Sequence, residues 1–173
     1  LDYTSEPNMG SLLRSSMGFS SILGTIFSNS PLVGRGLSGY QSFRNRIWEE
    51  VDPDRCGLLP WVFQGSPPTY EQYARWAMDV PLFFIERDNQ YIDCSGIPFT
   101  EFLRHGVDGH QATMADWHTH LSTLFPDVRL KTYLELRVAD CVPPQHIPAL
   151  PAVSKGLLYH QAACDAAWDL VKN

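Results

Sequence analysis

The segment RLKTYLELRVAD, Arg129 to Asp140, alternates charged and apolar residues, and it predicts a β-strand with two different faces. One face carries Leu130, Leu134 and Leu136, which predicts that this side lies in the core. The opposite face carries a row of polar and charged side chains: Arg129, Lys131, Tyr133, Glu135 and Arg137. This row is the first candidate for a functional surface.

The polar face has two interpretations. It can be an ordinary solvated sheet surface whose charges pair across neighbouring strands. It can instead be a concave face that holds a metal–nucleotide complex, since a carboxylate such as Glu135 is a hard oxygen ligand for Mg²⁺ and Arg137 suits a transferring phosphoryl group. Their spacing of two puts Glu135 and Arg137 roughly 6–7 Å apart on one face. The segment alone leaves both interpretations open.

The other elements predict an α+β fold, because helices and strands are mixed without a regular βαβ rhythm. The first five residues, LDYTS, have the alternation of a strand end. Residues 28–42 are rich in Ser, Gly and Pro and predict a long loop. The remaining predictions are a helix over 6–27 that packs closely against a neighbour, a helix from Thr69 to Pro81, a hairpin over 81–96 with its turn at Asp88–Asn89, short helices over 97–106 and 113–125, and one or two closing helices from 150 onward.

The composition is typical of one globular domain over residues 1–173, with a hydrophobic fraction of 44% and five tryptophans. The charged fraction of 18% is below the roughly 25% of average soluble proteins, which indicates that part of the surface is covered. A net charge of −6 argues against nucleic-acid binding, and no apolar run approaches the ~20 residues of a membrane span. The chain starts without Met or a signal peptide, so we interpret it as a piece of a longer protein.

The cysteines and histidines give no pattern of their own. Cys56, Cys94, Cys141 and Cys164 match no metal-binding or disulfide-stapled spacing, and they predict buried or half-exposed thiols in a reducing cytoplasm. His118 and His120 are two residues apart, so on a helix they point in different directions and do not form a zinc site.

A second candidate constellation follows the Ser- and Gly-rich loop, in FRNRIWEEVDPDRCG. It contains Arg44, Arg46 and Arg55, with Trp48 between them. Guanidinium groups suit the recognition of carboxylates and phosphates. The alternative is a surface segment whose arginines make ordinary ion pairs, each of which contributes little.

Several segments together resemble one family. LDYTSE, IFSNSP, FRNRIWEEVDPDRCGLLPWVF, YARWAMDVPLFF, LSTLFPDVRLKTYLELRVAD and ALPAVSKGLLY are similar, in the same order, to the C-terminal part of the glutamate–cysteine ligases of the plant and proteobacterial type. These belong to the wider carboxylate–amine ligases. The resemblance covers essentially the whole chain, and the motifs are specific as a set.

The resemblance implies an enzyme that joins the γ-carboxylate of glutamate to the amine of cysteine in glutathione biosynthesis. Its cofactors would be ATP and Mg²⁺, and its partners glutamate, cysteine, ATP and the N-terminal half of the same enzyme, which supplies most metal-binding acids. The implied fold is glutamine synthetase-like, a curved and mostly antiparallel sheet backed by helices. Residues 1–173 would be the C-terminal part of the catalytic domain and inactive alone.

The resemblance also implies roles for individual residues. The implied metal ligand is Glu135, and the implied catalytic contacts to phosphate are Arg137 and Arg55. The implied substrate-binding residues are Arg44, Arg46, Trp48 and Trp76. Arg46 stands where relatives of this type often have histidine.

The chain departs from the family pattern at a redox position. Cys94 matches one partner of a cysteine pair that plant members use as a switch, but Gly109 stands near the second position, so the switch is expected to be absent. Two alternatives to the ligase remain open: a non-catalytic ligase-like module that binds a ligand or a partner, and a carboxylate–amine ligase with another amine acceptor.

Overall fold

The computed structural model describes residues 1–172, which form two compact units. The first unit comprises Leu1–Thr69 and the described residues from Pro126 onward, and the second is Tyr70–Phe125. None of the helices found in residues 1–172 is long and apolar enough to cross a membrane.

The elements confirm the α+β class. In chain order they are α1 (Glu6–Ile26), β1 (Leu32–Val33), β2 (Gly36–Leu37), α2 (Phe43–Trp48), β3 (Cys56–Gly57), α3 (Tyr70–Asp79), β4 (Phe84–Arg87), β5 (Gln90–Asp93), α4 (Phe99–His105), α5 (Met114–Ser122), β6 (Phe125–Pro126), β7 (Val128–Leu130), β8 (Leu134–Leu136), α6 (Ala149–Leu158) and α7 (Gln161–Val171), with 3₁₀ turns at Pro60–Phe63 and Pro144–His146.

Helix α1 is the centre of the first unit. Ser5 caps its start by accepting from the main chain of Asn8, and its buried face includes Leu13 and Met17. A Cβ added at Gly18 would collide with the Val171 side chain of α7. The close packing predicted from the small residues of this helix is therefore confirmed, and here a glycine is required by contact rather than by backbone conformation.

The strand end predicted for LDYTS is wrong as a regular element, because residues 1–5 lead into α1 without forming a strand. One trace of strand geometry remains. Leu1 and Leu134 exchange both main-chain hydrogen bonds, each of 2.8 Å, as an antiparallel hydrogen-bonded pair does. The pairing does not continue, because the next main-chain N–H, of Asp2, donates to the Tyr159 hydroxyl at 2.9 Å and Ser5 then caps α1.

The loop predicted over 28–42 contains a small hairpin, so this prediction is incomplete. Strands β1 and β2 pair antiparallel, Leu32 with Leu37 and Val33 with Gly36, around Gly34 at φ 61°. Each strand has only two residues, and all four are exposed. With no buried face there is no apolar alternation in the sequence to indicate a strand.

Residues 129–140 do not form the single strand that their alternation predicts. They form a tight hairpin, in which β7 and β8 pair antiparallel with Arg129 opposite Glu135 and Leu130 opposite Leu134. The turn is Lys131–Tyr133, closed by a main-chain hydrogen bond of 2.8 Å between its ends. None of its residues is a Gly, Pro, Asn or Asp, so the usual turn signal is missing. The register keeps the polar side chains on one face, while Leu134 is buried on the other.

The second unit follows its predicted elements closely. The β4–β5 hairpin turns at Asp88 and Asn89, both with positive φ as a two-residue turn of this kind requires. Helix α4 ends at Gly106, also at positive φ, and α5 begins with a capping box between Thr113 and Asp116. The helices and the hairpin enclose a small core of Leu82, Ile85, Cys94, Phe99 and Phe102.

All four cysteines are free thiols. Cys56, Cys94 and Cys164 are buried, as the prediction of buried or half-exposed thiols requires, whereas Cys141 is exposed and departs from it. Burial raises the pKa of the Cys94 thiol, which makes its reactive thiolate form scarcer at neutral pH.

Asp116 is expected to carry much of the stability of the second unit. Its buried carboxylate accepts two hydrogen bonds from Arg87, at 2.6 and 2.8 Å, and one from the main chain of Thr113 at 2.8 Å. We expect Asp116→Asn to lower the free energy of unfolding by about 2–4 kcal/mol, because it leaves Arg87 without its charge partner and weakens the α5 cap. Urea denaturation at pH 7 measures this, with the exposed Asp165→Asn as control.

The pH dependence of that effect follows from the carboxyl's own ionisation. Burial by itself raises the pKa of Asp116, but the donors from Arg87 and Thr113 outweigh it and hold the pKa below its usual value. The stabilisation is thus present above the unfolded-state pKa of about 3.9 and disappears as the pH falls through the lower folded-state value. The difference between Asp116→Asn and wild type should shrink below about pH 4; a difference that grows there would contradict the ion pair.

Candidate functional site

The two constellations that the sequence offers separately meet in the first unit. The indole of Trp48, at the end of α2, lies near two guanidinium groups: the Cζ atom of Arg44 is 6.0 Å from the ring centroid and that of Arg137 is 5.9 Å from it. These are cation–π distances. We call Arg44, Trp48, Arg129, Glu135 and Arg137 the arginine cluster. It joins residues of α2 to residues of the β7–β8 hairpin and its end.

Glu135 is the acidic centre of the arginine cluster. Its Oε2 accepts from Arg129 Nε at 2.8 Å and Nη2 at 2.7 Å, and its Oε1 accepts from Arg137 Nη1 at 3.1 Å. Burial opposes the charged form, but the two arginines hold the pKa of Glu135 below its usual value. The carboxylate is therefore ionised near neutral pH. The pair with Arg129 is the cross-strand ion pair that the first interpretation of this face predicts.

Glu135 is not directed at open solvent alone. Its side chain is 31% exposed, and it lines a cavity of about 610 Å³. The walls of this cavity are mainly apolar and aromatic, from β8 and α6, and Lys155 adds one cation. A carboxylate at the edge of such a cavity can meet a ligand, provided that a cation or a donor of the ligand shares its oxygens with the arginines.

Arg44 ties the start of α2 to the residues after β8. Its Nη2 donates to the main-chain oxygen of Arg137 at 2.5 Å, and its Nη1 donates to the oxygen of Val138 at 3.4 Å. Within the described part of the chain, no carboxylate lies within ion-pair distance of Arg44. Its charge is met by neutral acceptors only, so it keeps the capacity to attract an anionic ligand.

Asp140 fixes the segment that carries Arg44. Its Oδ2 accepts from the main chain of Asn29 and from the hydroxyl of Ser30, both at 2.7 Å, and its Oδ1 accepts from the Ser42 hydroxyl at 3.0 Å. Ser42 is also the N-cap of α2. In the sequence, Asp140 is only the last charged residue of the segment from Arg129, and no role was predicted for it. Its role depends on contacts with residues 98 to 111 positions away, which no local pattern reveals.

A polar cavity of about 480 Å³ adjoins the arginine cluster, because Trp48 also lines it. Most of its polar walls are hydroxyl and amide side chains of α1, of α2 and of the residues next to them: Ser20, Ser21, Thr25, Ser28, Ser42 and Asn45. Asp127 lies in the same wall, and its Oδ2 accepts from the Ser20 hydroxyl at 3.0 Å. Burial raises the pKa of Asp127, while Ser20 and the charge of Arg44 oppose the rise. Sequence analysis missed Asp127, which stands among the apolar residues before the hairpin.

Comparison with known proteins identifies the family of this chain. The model of the family described as glutamate-cysteine ligase family 2 (GCS2) matches residues 2–173. The chain belongs to this family. This confirms the resemblance that the motifs predict.

Among relatives of this family-2 chain are plant proteins named as chloroplastic glutamate–cysteine ligases. The one from Arabidopsis thaliana is 42% identical over 173 residues, which cover 98% of this chain and 33% of that relative. The one from Nicotiana tabacum is 39% identical over 176 residues, covering 100% and 34%. Ligase B from Oryza sativa subsp. japonica is 40% identical over 176 residues, covering 100% and 35%. The chain thus spans about a third of the length of these relatives. The cytoplasmic location predicted from its thiols stays a prediction.

The family-2 chain offers one carboxylate that fits a Mg²⁺ site, and no complete site. Mg²⁺ is commonly held by one or two carboxylates together with phosphate oxygens and water. Glu135 is the predicted ligand, and both of its oxygens accept from arginines, so a metal ion would have to share them. In residues 1–172 no group of three or more His, Cys, Asp or Glu side chains is close enough to hold a metal ion. The metal role of Glu135 therefore stays a prediction that needs ligands from elsewhere.

Three other residues with implied roles lie outside the arginine cluster. Arg55 is 2% exposed, and its Nε donates to Asp52 at 2.6 Å. Arg46 is on the outer side of α2, where it pairs with Glu49 at 3.1 Å and with Glu50. Their roles in binding phosphate and glutamate stay predictions.

Trp76 belongs to the second unit. It lies on α3, edge-on to Tyr73 with 5.1 Å between the ring centroids, and packs against the small cluster of Ala77, Val80 and Leu124. Its predicted part in a substrate pocket wall stays a prediction. The contacts described for it are those of core packing.

Proposed function

We propose that this chain is part of an ATP-dependent glutamate–cysteine ligase that acts in glutathione biosynthesis. The enzyme would join the γ-carboxylate of glutamate to the amine of cysteine through γ-glutamyl phosphate. The observation that carries the proposal is the arginine cluster, since it unites the two family motifs, FRNRIW and YLELR, around Trp48 and Glu135. The active protein would contain further chain, as relatives about three times as long indicate.

We also propose a glutamine synthetase-like fold for the whole enzyme, with residues 1–173 as the C-terminal part of its catalytic domain. The β7–β8 hairpin supports this, because it is antiparallel, presents one polar face and has Leu1 hydrogen-bonded along the outer edge of β8. Such a hairpin is suited to a larger antiparallel sheet with helices behind it.

The residues of this chain would act by position and charge. In the first step an oxygen of the glutamate γ-carboxylate attacks the γ-phosphorus of ATP, and ADP leaves. Negative charge collects around the transferred phosphoryl group, which arginines stabilise by donating to its oxygens. Arg137 is the cluster's candidate for this contact, and Arg44, which has no carboxylate partner within the described residues, is the candidate for holding a substrate carboxylate. When bound, Mg²⁺ would neutralise charge on the triphosphate.

In the second step the amine of cysteine attacks the acyl carbon of γ-glutamyl phosphate. The carbon–oxygen bond to phosphate breaks, inorganic phosphate leaves, and the attacking nitrogen loses a proton. No covalent intermediate with the protein is needed, and the cluster contains no nucleophile. Trp48 would keep the arginines in place and exclude water from one side of the acyl phosphate.

The test is a turnover assay on the longer protein that carries this segment, with ATP, Mg²⁺, glutamate and cysteine. We expect ADP, phosphate and γ-glutamylcysteine in equal amounts, and no turnover by the purified 173-residue chain. Turnover by the isolated chain would contradict the proposed need for further residues. Replacing cysteine by other amines tests the acceptor. Binding of glutamate and ATP by the longer protein without product would favour the non-catalytic module instead.

A further inference from the structure

The polar cavity has one carboxylate whose hydrogen bonds are incomplete. Asp127 Oδ2 accepts from the Ser20 hydroxyl at 3.0 Å, whereas Oδ1 has no hydrogen-bond partner in the part of the chain that the structure describes. The main chain of Asp127 is fully used, because its N–H donates to Gly57 and its oxygen accepts from Arg137, both at 2.9 Å. The backbone therefore fixes the carboxylate in the cavity wall, and one of its oxygens remains available.

The chemistry of the walls indicates what this oxygen would bind. A half-buried carboxylate is costly unless donors or a positive charge compensate it. The wall carries a second acid, Glu49, and no lysine or arginine side chain. Arg44 acts on Asp127 only through its field, since its guanidinium donates to main-chain oxygens beyond β8. A ligand that suits the cavity must bring a cation with several hydrogen-bond donors.

Charges of both signs lie close to Trp48. The indole lines the polar cavity that contains Asp127, and it also lies 6.0 Å from the Arg44 guanidinium. An α-amino acid carries an ammonium and a carboxylate a few bonds apart, so its two charges suit an acid in the cavity wall and an arginine beside the indole that lines the same cavity. The serine and threonine hydroxyls can accept the remaining N–H bonds of an ammonium group, as three donors need.

We propose that the polar cavity binds the ammonium group of an amino-acid substrate, with Asp127 Oδ1 as its charged acceptor. The ammonium chemistry rests on the cavity, and the choice of an amino acid rests on the proposed ligase function. Asp127 would be a substrate-binding residue that none of the sequence motifs singles out. Both substrates of the proposed reaction are amino acids, so the test has one arm for each.

The test is an NMR titration of the longer protein that carries this segment, with labelled asparagine and tryptophan side chains as reporters. For the glutamate arm, the probes are L-glutamate and glutarate, which lacks the amine. For the cysteine arm, they are L-2-aminobutyrate, which has a methyl group in place of the cysteine thiol, and butyrate, which lacks the amine. We expect glutamate, aminobutyrate or both to shift the NMR signals of the Asn45 side chain and the Trp48 indole. The matching compound without the amine, glutarate or butyrate, should shift these signals little. Asp127→Asn keeps the size and the Ser20 contact but loses the charge, so Kd for the amine should rise about tenfold or more.

Controls separate this effect from a general disturbance. Asp165→Asn makes the same substitution at an exposed position of α7 and should leave both Kd values unchanged. If the Asp127→Asn spectrum is that of an unfolded chain, Ser21→Phe decides the matter, because it obstructs the cavity from an exposed position and should abolish the shifts.

Three results would overturn the proposal. The first is that each amine binds no more tightly than its deaminated partner, and the second is an unchanged Kd in folded Asp127→Asn. The third is no shift with either amine at about 50 mM, roughly 50-fold above the upper end of typical KM values. A shift with glutamate alone identifies the substrate whose γ-carboxylate reacts, and a shift with aminobutyrate alone identifies the acceptor. Failure of the ligase assay with intact ammonium binding would remove the proposed function and leave this site.

Discussion

Replacing Glu135 by glutamine in the longer protein, which we propose to be a ligase, is expected to lower kcat by roughly 100- to 1,000-fold, the range for loss of one charged group that stabilises a transition state. Glutamine keeps the shape and one acceptor oxygen but removes the negative charge. A Mg²⁺ ligand would be lost in one interpretation of this residue. In the other, Arg129 and Arg137 lose the acid that holds them, at 2.7 and 3.1 Å. Steady-state kinetics at saturating ATP measures the effect.

The same substitution should cost little stability. The Glu135 side chain is 31% exposed and glutamine keeps an oxygen that can accept from the buried Arg129, so we expect a loss of about 1–2 kcal/mol, smaller than for Asp116→Asn. A thermal melt that moves by only a few degrees, beside a large loss of kcat, would separate function from folding. Glu86→Gln is the matched control, because Glu86 is also a strand glutamate, on β4, and is exposed. It should leave both kcat and the melt unchanged.

A Mg²⁺ titration distinguishes the two interpretations of Glu135. If the carboxylate ligates the metal, the Mg²⁺ concentration for half-maximal rate should rise about tenfold or more in Glu135→Gln. If the carboxylate only positions the arginines, that concentration should stay the same while kcat falls. Wild-type kcat in the variant would exclude Glu135 from both roles.

The fold was predictable where local chemistry determines it. The Asp88–Asn89 turn, the Gly106 helix end and the Thr113–Asp116 capping box each depend on a few neighbouring residues, and each is confirmed. The turn at Lys131–Tyr133 was not predictable, because Thr132 and Tyr133 are strand formers, none of its residues is a typical turn residue, and the reversal is imposed by pairing between β7 and β8. The prediction of one polar and one apolar face still holds for the hairpin, because its register pairs Arg129 with Glu135 and Leu130 with Leu134.

The candidate site was predictable in part. The arginines and Trp48 stand out by residue type, but their meeting with Glu135 depends on contacts across about 90 positions of sequence. Asp127 and Asp140 were missed because acids near the ends of strands look like solvated turn residues. Their burial and their partners on α1 and α2 arise only from packing. Arg55 is the opposite case, because its residue type and motif single it out while its burial was not predictable. It is 2% exposed and donates to Asp52, and its contact to phosphate stays a prediction.

Replacing Arg44 by lysine is expected to lower kcat/KM of the longer protein in the proposed ligase reaction by about 30- to 100-fold, mainly through a higher KM for glutamate. Lysine keeps the charge but cannot form the planar, forked set of hydrogen bonds to the oxygens of Arg137 and Val138. Loss of that set removes the tie between α2 and the end of β8, and with it the position of Trp48. Weakening these hydrogen bonds from a charged group is expected to cost roughly 2–2.8 kcal/mol, which corresponds to about 30- to 100-fold.

The neighbouring arginine on the same helix gives the sharpest comparison. Arg46 pairs with Glu49 and Glu50 at the surface, so its contacts predict less than a threefold change for Arg46→Lys, whereas the family resemblance implies a substrate role and a larger loss. Arg75→Lys is the control for the substitution itself, because Arg75 on α3 also pairs with a glutamate of its own helix, Glu71. Equal, large losses in Arg44→Lys and Arg46→Lys would mean that α2 binds glutamate along both of its sides. Wild-type kinetics in Arg44→Lys would contradict a role of the arginine cluster in substrate binding. This variant tests that role directly, because Arg44 makes the hydrogen bonds that join the two motifs.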